Sequence, residues 1–183
     1  MITWIVLGVV AAIVLWVVVT YNRLVTLRNQ TANGWKQIDV QLKRRHDLIP
    51  NLVSTVKGTM KFEQETLQKV VEARNGAIGA RGIADAARKE QALSGALGNF
   101  FALMERYPDI KSNQNVLQLQ EELSSTENKI GFARQFYNDI ATSFNIALQV
   151  FPSNLIGSNF GFKPAELFEV TDAAERNVPK VEL

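Results

Sequence analysis

From Ile2 to Asn22 the chain reads ITWIVLGVVAAIVLWVVVTYN, an apolar run without a charge. As a helix it is about 30 Å long, the thickness of a bilayer's hydrocarbon core, and it predicts a transmembrane span. Trp4 near one end, and Trp16 with Tyr21 near the other, suit rings that prefer the two membrane interfaces. A cleaved signal peptide would carry a basic start, a small-residue cleavage site and a shorter apolar run. Soluble core helices rarely need such unbroken apolarity.

Beyond the span the pattern becomes periodic. Leu24, Leu27, Thr31, Trp35, Ile38, Leu42, Arg45, Ile49, Leu52 and Val56 recur at steps of three and four. That heptad seam predicts a second stretch of long helix, continuous with the span. Pro50 lies inside it, and because the seam keeps its phase on both sides, a kink is expected rather than an end. Val116, Leu119, Leu123, Thr126, Ile130, Ala133, Tyr137, Ile140, Phe144, Ala147 and Phe151 make a matching seam. It predicts a helix from after Tyr107-Pro108 to near Phe151-Pro152, with Asp109 and Ser112 as candidate caps. Thr126, Ala133 and Ala147 are too small for a lone coiled coil and suit a multi-helix bundle.

Between the long helices, shorter amphipathic segments run from near Met60 to Ile78 and from near Ile83 to Tyr107. The glycine-rich stretch joining them follows no strand and precedes no Gly-Lys-Ser, so it reads as a turn rather than a phosphate loop. Gly95 and Gly98 suggest close helix approach. After Pro152 the period is lost. The fold expected is all-α: an N-terminal transmembrane helix (1–22) continuous with a long up-and-down antiparallel bundle (23–151) of about four helices, then an irregular C-terminal tail (152–183). Phe160, Phe162 and Phe168 argue that the tail's first half docks on the bundle while its end stays flexible.

Charge refines the picture. The net charge of +2 is too small to imply nucleic acid. Arg23, Arg28 and Lys36 follow the span before any acid appears, so the positive-inside bias places the bundle in the cytoplasm and the short N-terminus outside. With no cysteine, disulfides, thiolate nucleophiles and thiolate metal sites all drop out.

Candidate chemistry is sparse. The single histidine, His46, has no second histidine to ligate with, and reads as a solvated helix-face residue. No nucleophile elbow is present, so no catalytic, cofactor-binding or metal residue is assigned and an enzyme is not expected. Polar residues on or beside the two long seams remain: Arg44, Arg45, Asp47 and Asn51 in the first, Arg134, Tyr137, Asn138 and Asp139 in the last. If the helices bring them together, paired buried charges would set the register, and a partner-binding surface is the alternative.

YNRLVTLRNQTANGWKQIDVQLKRRHDLIPNLVSTVKG after the span, ARQFYNDIATSFN on the last long helix, and FGFKPAELFEV with NVPKV in the tail together resemble the LemA family of bacterial membrane proteins. His46 departs from the family, standing where an aromatic is often found. The resemblance covers nearly the whole chain and implies a helical bundle on the bacterial inner membrane with a short outer N-terminus. It brings no settled activity. Members are often encoded near membrane proteases, which implies an accessory role in membrane protein quality control. The function expected is therefore a membrane-anchored adaptor or scaffold of the cell envelope, with the lipid bilayer, other membrane proteins (a membrane protease among them) or a second copy of itself as partners. The alternative is a self-assembling protein that organises or shapes the membrane. Gly8 and Ala12, a small-xxx-small pair, would let two spans approach.

Overall fold

A computed structural model describes residues 1–57 and 64–169. Six helices account for most of them: α1 (Ile2–Lys57), α2 (Gln64–Ile78), α3 (Ile83–Met104), α4 (Pro108–Lys111), α5 (Gln114–Gln149) and α6 (Ser153–Asn159). Among the described residues there is no strand. The span and the first seam form one uninterrupted helix of 56 residues that passes through Pro50. Its apolar window carries no internal burial and is long and apolar enough to cross a membrane. The start expected near Met60 and the end of the tail lie outside the described residues.

Packing groups the chain into two compact units whose boundary falls inside α1 and α5, a different division from anchor, bundle and tail. The first comprises Met1–Arg45 and Ser124–Leu167; the second comprises His46–Leu123 and the chain from Phe168.

In the first unit α1 and α5 run antiparallel. Leu24 packs with Phe144, Gly34 lies against Tyr137 and Arg45 meets Glu127, so rising numbers on one helix meet falling numbers on the other. Every seam residue of α1 from Leu24 to Arg45 is buried or half-buried, as is that of α5 from Thr126 to Ala147. Phe151 departs from the expectation, because α5 has ended before it and the ring is exposed. Glycine at position 34 marks a close approach: an added Cβ would stand 3.4 Å from the Tyr137 Cα, already in van der Waals contact. A bulkier residue would hold the backbones apart. Gly95 and Gly98, the glycines expected to do this, face open space among the described residues.

The second unit has its own apolar core, in which Ile49, Leu52 and Val56 of α1 join Leu67 and Val70 of α2, Leu93, Leu97 and Phe100 of α3, and Val116 and Leu123 of α5. The glycine-rich stretch makes the turn between α2 and α3, and Gly82 adopts a φ of 83°, open to glycine at no steric cost. Asp85 then secures the start of α3. The Lys89 ammonium, the Arg81 N–H and the Arg88 guanidinium all donate to its carboxylate and hold it well below the usual carboxylate range. Where one helix was expected after Tyr107, the chain first makes the single turn of α4. The long helix starts six residues later than Pro108, and the Asn113 carboxamide oxygen, rather than Asp109 or Ser112, accepts from the Asn115 N–H at its N-terminus.

Substitution at position 34 tests the antiparallel contact. Gly34→Leu should lower stability by about 1–3 kcal/mol through overpacking against Tyr137. Gly34→Ala should be near neutral, its better helix propensity of about 1 kcal/mol offsetting a tight contact. Thermal melts of the detergent-solubilised chain read both.

Candidate functional site

The polar residues singled out from sequence are divided between the two compact units, Asp47 and Asn51 in the second and the other six in the first. Within the first unit the register sets Arg45 opposite Glu127, and Tyr137 opposite Gly34 and Trp35. Arg134, Asn138 and Asp139 therefore lie about two helical turns or more along the bundle from Arg45. Arg44, Asp47, Asn51 and Asp139 are exposed, and Arg134 and Asn138 are half-buried. Two of the eight, Arg45 and Tyr137, reach the interior, and each does a different job.

Arg45 occupies a seam position and is the largest fully buried side chain among the described residues, 1% exposed. Its guanidinium donates to the carboxylate of Glu127, whose side chain is 49% exposed. The pair is lopsided: one charge is fully removed from water, the other is still solvated. A guanidinium suits such a place because its long stem packs among apolar neighbours while its fork reaches outward.

Tyr137 holds the tail. Its hydroxyl donates to the Glu166 carbonyl, while the Asn145 carboxamide both donates to the Ala165 carbonyl at 2.9 Å and accepts from the Ala165 N–H at 2.7 Å. An extended backbone segment is thereby paired as a neighbouring strand would pair it. Phe162 anchors the same segment, edge-on to Phe144 and Tyr21, with the Arg28 guanidinium 5.3 Å above its ring. Residues 162, 165 and 166 of the tail are held against α1 and α5 by these contacts. They also join the two motifs that carried the family resemblance, ARQFYNDIATSFN and FGFKPAELF, to each other.

The second unit contains the chemistry that sequence reading missed. His46 is buried rather than solvated, its Nε2 2.7 Å from the buried carboxylate of Glu90. A signal was available, because Glu90 lies three residues before Leu93 on the apolar period of α3, a place where a carboxylate needs a buried partner. Pro50 supplies the second half of the arrangement. Lacking an N–H, it cannot bond the carbonyl four residues earlier, that of His46. The half-buried Arg74 of α2 donates its Nε to that carbonyl at 2.6 Å. Residue 46 thus ties α1 to α3 through its side chain and to α2 through its backbone.

His46 with Glu90, and Arg74 with the His46 carbonyl, are paired groups inside helical packing. Among the described residues no group of three or more His, Asp or Glu converges as metal ligands would. The surface feature that faces outward is a groove of about 550 Å³ in the first unit, lined by Lys36, Gln37, Val40 and Gln41 of α1 and Lys129, Phe132, Ala133 and Phe136 of α5. Val40, Phe132 and Phe136 are exposed, Phe132 by 73%. The buried Gln41 Oε1 has no hydrogen-bond partner among the described residues.

The profile of the LemA family matches residues 34–183. Protein LemA of Metamycoplasma hominis is 28% identical over 88% of this chain and 74% of its own length. Magnetosome protein MamQ 2 of Paramagnetospirillum magneticum is 27% identical over 91% of this chain and 71% of its own. Magnetosome protein MamQ of Magnetospirillum gryphiswaldense is 24% identical over 85% and 66%.

The lopsided pair should respond unequally to its two deletions. Glu127→Ala removes a carboxylate from a fully buried guanidinium and should cost about 3 kcal/mol or more, whereas Arg45→Met leaves a half-exposed carboxylate for water to solvate and should cost less. Urea unfolding of each variant measures the difference. The tail clamp is pH-dependent. Burial, and secondarily the Glu166 carboxylate, push the Tyr137 phenol up from its ordinary value. Its contribution is therefore complete below the unfolded phenol value of about 10 and is lost as pH rises through the higher folded value. Tyr137→Phe should cost about 1 kcal/mol at neutral pH, and its stability difference from the parent chain should shrink in strongly alkaline buffer.

Proposed function

The chain belongs to the LemA family, and from that premise we propose that it is a membrane-anchored helical scaffold, without chemistry of its own, that docks a helix of another membrane protein in the α1–α5 groove. The observation that carries this reading is the exposed apolar face at Val40, Phe132 and Phe136. Large apolar side chains presented together on a soluble surface mark interaction sites more often than chance exposure does. An amphipathic helix lying in a groove buries its apolar face and meets the polar groups on the rim. Here the rim carries Lys36 and Lys129, which favour acidic flanks on the incoming helix, and the Gln41 oxygen accepts a hydrogen bond.

Several features support the scaffold reading over an enzymatic one. The titratable groups of the interior are engaged in pairs that tie helices together. The names of the relatives, LemA and magnetosome protein, are not those of enzymes. The basic residues after the span favour a cytoplasmic bundle at the bacterial inner membrane, with the short N-terminus outside, and the family resemblance adds an accessory role in membrane protein quality control to the proposal.

The test uses a photo-crosslinking amino acid in place of Phe136 in the full chain in its native membrane. The expected result is one discrete adduct with a membrane protein, lost in a Phe132→Glu chain whose melting temperature is unchanged. If the crosslinker yields adducts only with lipid or with a second copy of the chain, the adaptor reading is overturned.

A further inference from the structure

Between Asp139 and Lys163 the sequence runs through twenty-three residues, Ile140 to Phe162, without a charge. That segment is not an interior strand or a buried helix. It comprises the end of α5, the turn at Phe151-Pro152, α6 and the chain beyond it, a corner at which a water-exposed bundle ordinarily places its lysines and glutamates. Its outer surface is uncharged instead, and beside the exposed Thr142, Ser143, Gln149, Ser158 and Asn159 it carries large apolar side chains. Phe151 is 79% exposed, and Ile146, Val150, Leu155 and Phe160 are each about half-exposed.

The inner side of the same corner is packed on the membrane span. Val17, five residues inside the uncharged run from its end at Asn22, packs on the cluster of Leu24, Phe144 and Ile156, with Ala147, Leu148 and Phe162. Tyr21 meets Phe160 at 4.9 Å and Phe162 at 5.8 Å between ring centres. The added Cβ of any residue but glycine at position 157 would stand 2.8 Å from the Leu148 side chain, so α6 folds tightly back against α5 at this level. Five residues of helix rise about 7.5 Å. With the span seated in the bilayer up to Asn22, the α5–α6 corner cannot stay above the membrane surface: it is held at the depth of Val17.

We propose that the α5–α6 corner is a second membrane-contacting element, in which Val150, Phe151, Leu155 and Phe160 insert into the interfacial layer of the leaflet that the C-terminal end of the span crosses. The depth set by Val17 matches the roughly 5–10 Å at which interfacial helices bury their apolar faces. Backbone groups there need internal partners, and the corner's polar side chains provide them. The Ser153 hydroxyl lies 2.7 Å from the Ala147 carbonyl at the end of α5, the Asn159 carboxamide donates to the Leu155 carbonyl at 2.7 Å and the Ser158 hydroxyl reaches the same carbonyl at 3.2 Å. Charges resume at the rim of the corner with Lys163, and Arg23 and Arg28 flank it on α1, at the level of lipid headgroups; the one exposed acid of the docked segment, Glu166, lies beyond them. The inference is independent of the groove and its partner.

The chain's lack of cysteine makes the test direct. Single Leu155→Cys, Phe160→Cys and Asn128→Cys variants of the full chain carry a polarity-sensitive fluorophore in vesicles of phosphatidylcholine and phosphatidylglycerol, with nitroxide lipids or aqueous iodide as quenchers. The expected result is strong quenching of the Leu155 and Phe160 labels by shallow nitroxide lipids with little by iodide, and the reverse for Asn128. Equal iodide quenching at all three positions would overturn the proposal. So would labels shielded from both quenchers in proportion to protein density, which would assign the face to a second copy of the chain. Because a label could itself draw the corner into lipid, an unlabelled Phe151→Asp, Leu155→Asp chain is examined as well. Hydrogen exchange of residues 146–160 in vesicles should rise severalfold over the parent chain, while exchange in α2 and α3 stays unchanged. Identical exchange in the two chains would likewise overturn the proposal.

Discussion

The antiparallel contact of α1 with α5 is what the first unit depends on. One helix must serve two solvents, crossing lipid for its first twenty or so residues and then presenting an apolar stripe to a partner in water. α5 is that partner, and the approach of its backbone to Gly34 fixes how closely the two can lie. Tyr137, whose ring faces Gly34 and Trp35 across that contact, and Asn145 then bind residues 166 and 165 of the returning chain.

Among the described residues, the buried charged side chains Arg45 and Glu90 are each paired with a residue of another helix. Arg45 occupies a seam position that an aliphatic residue would fill, and His46, its neighbour, pairs with Glu90. Two successive residues on a helix point about 100° apart, so one short sequence, Arg45-His46, serves both compact units. Apolar replacements of equal volume would often be as stable.

Much of this was legible before any coordinates. The span follows from unbroken apolarity and the turn from its glycines, while both heptad seams follow from spacing, because helix geometry converts steps of three and four directly into a buried face. Arg45 was recognised as a seam residue for the same reason. Its partner was not, since Glu127 lies just off the α5 seam and periodicity says nothing about which of several flanking acids a guanidinium will reach. His46 was misread because a lone histidine among charged neighbours resembles a solvated one. Its burial depends on α3, and the carboxylate at position 90 breaks the apolar period only for a reader who extends that period back past Leu93. Close helix approach was assigned to Gly95 and Gly98 on composition, whereas the glycine that permits it, Gly34, sits unremarked between Asn33 and Trp35. Small residues are necessary for such contacts but do not announce which of them has a helix opposite.

The proline at position 50 has a consequence for the alignment of the second unit. A heptad stripe is nearly a repeating pattern, and a helix bearing one can slide by seven residues along its neighbour and find apolar surface again. Hydrophobic burial alone distinguishes such shifted states poorly. The carbonyl released by Pro50 occurs once in the length of α1, and the Arg74 donor finds it in a single alignment. In every shifted alignment the same guanidinium would face carbonyls already bonded within the helix. A residue usually counted as a defect in a helix thus acts as an index mark, turning a degenerate ruler into one that can be read in only one position.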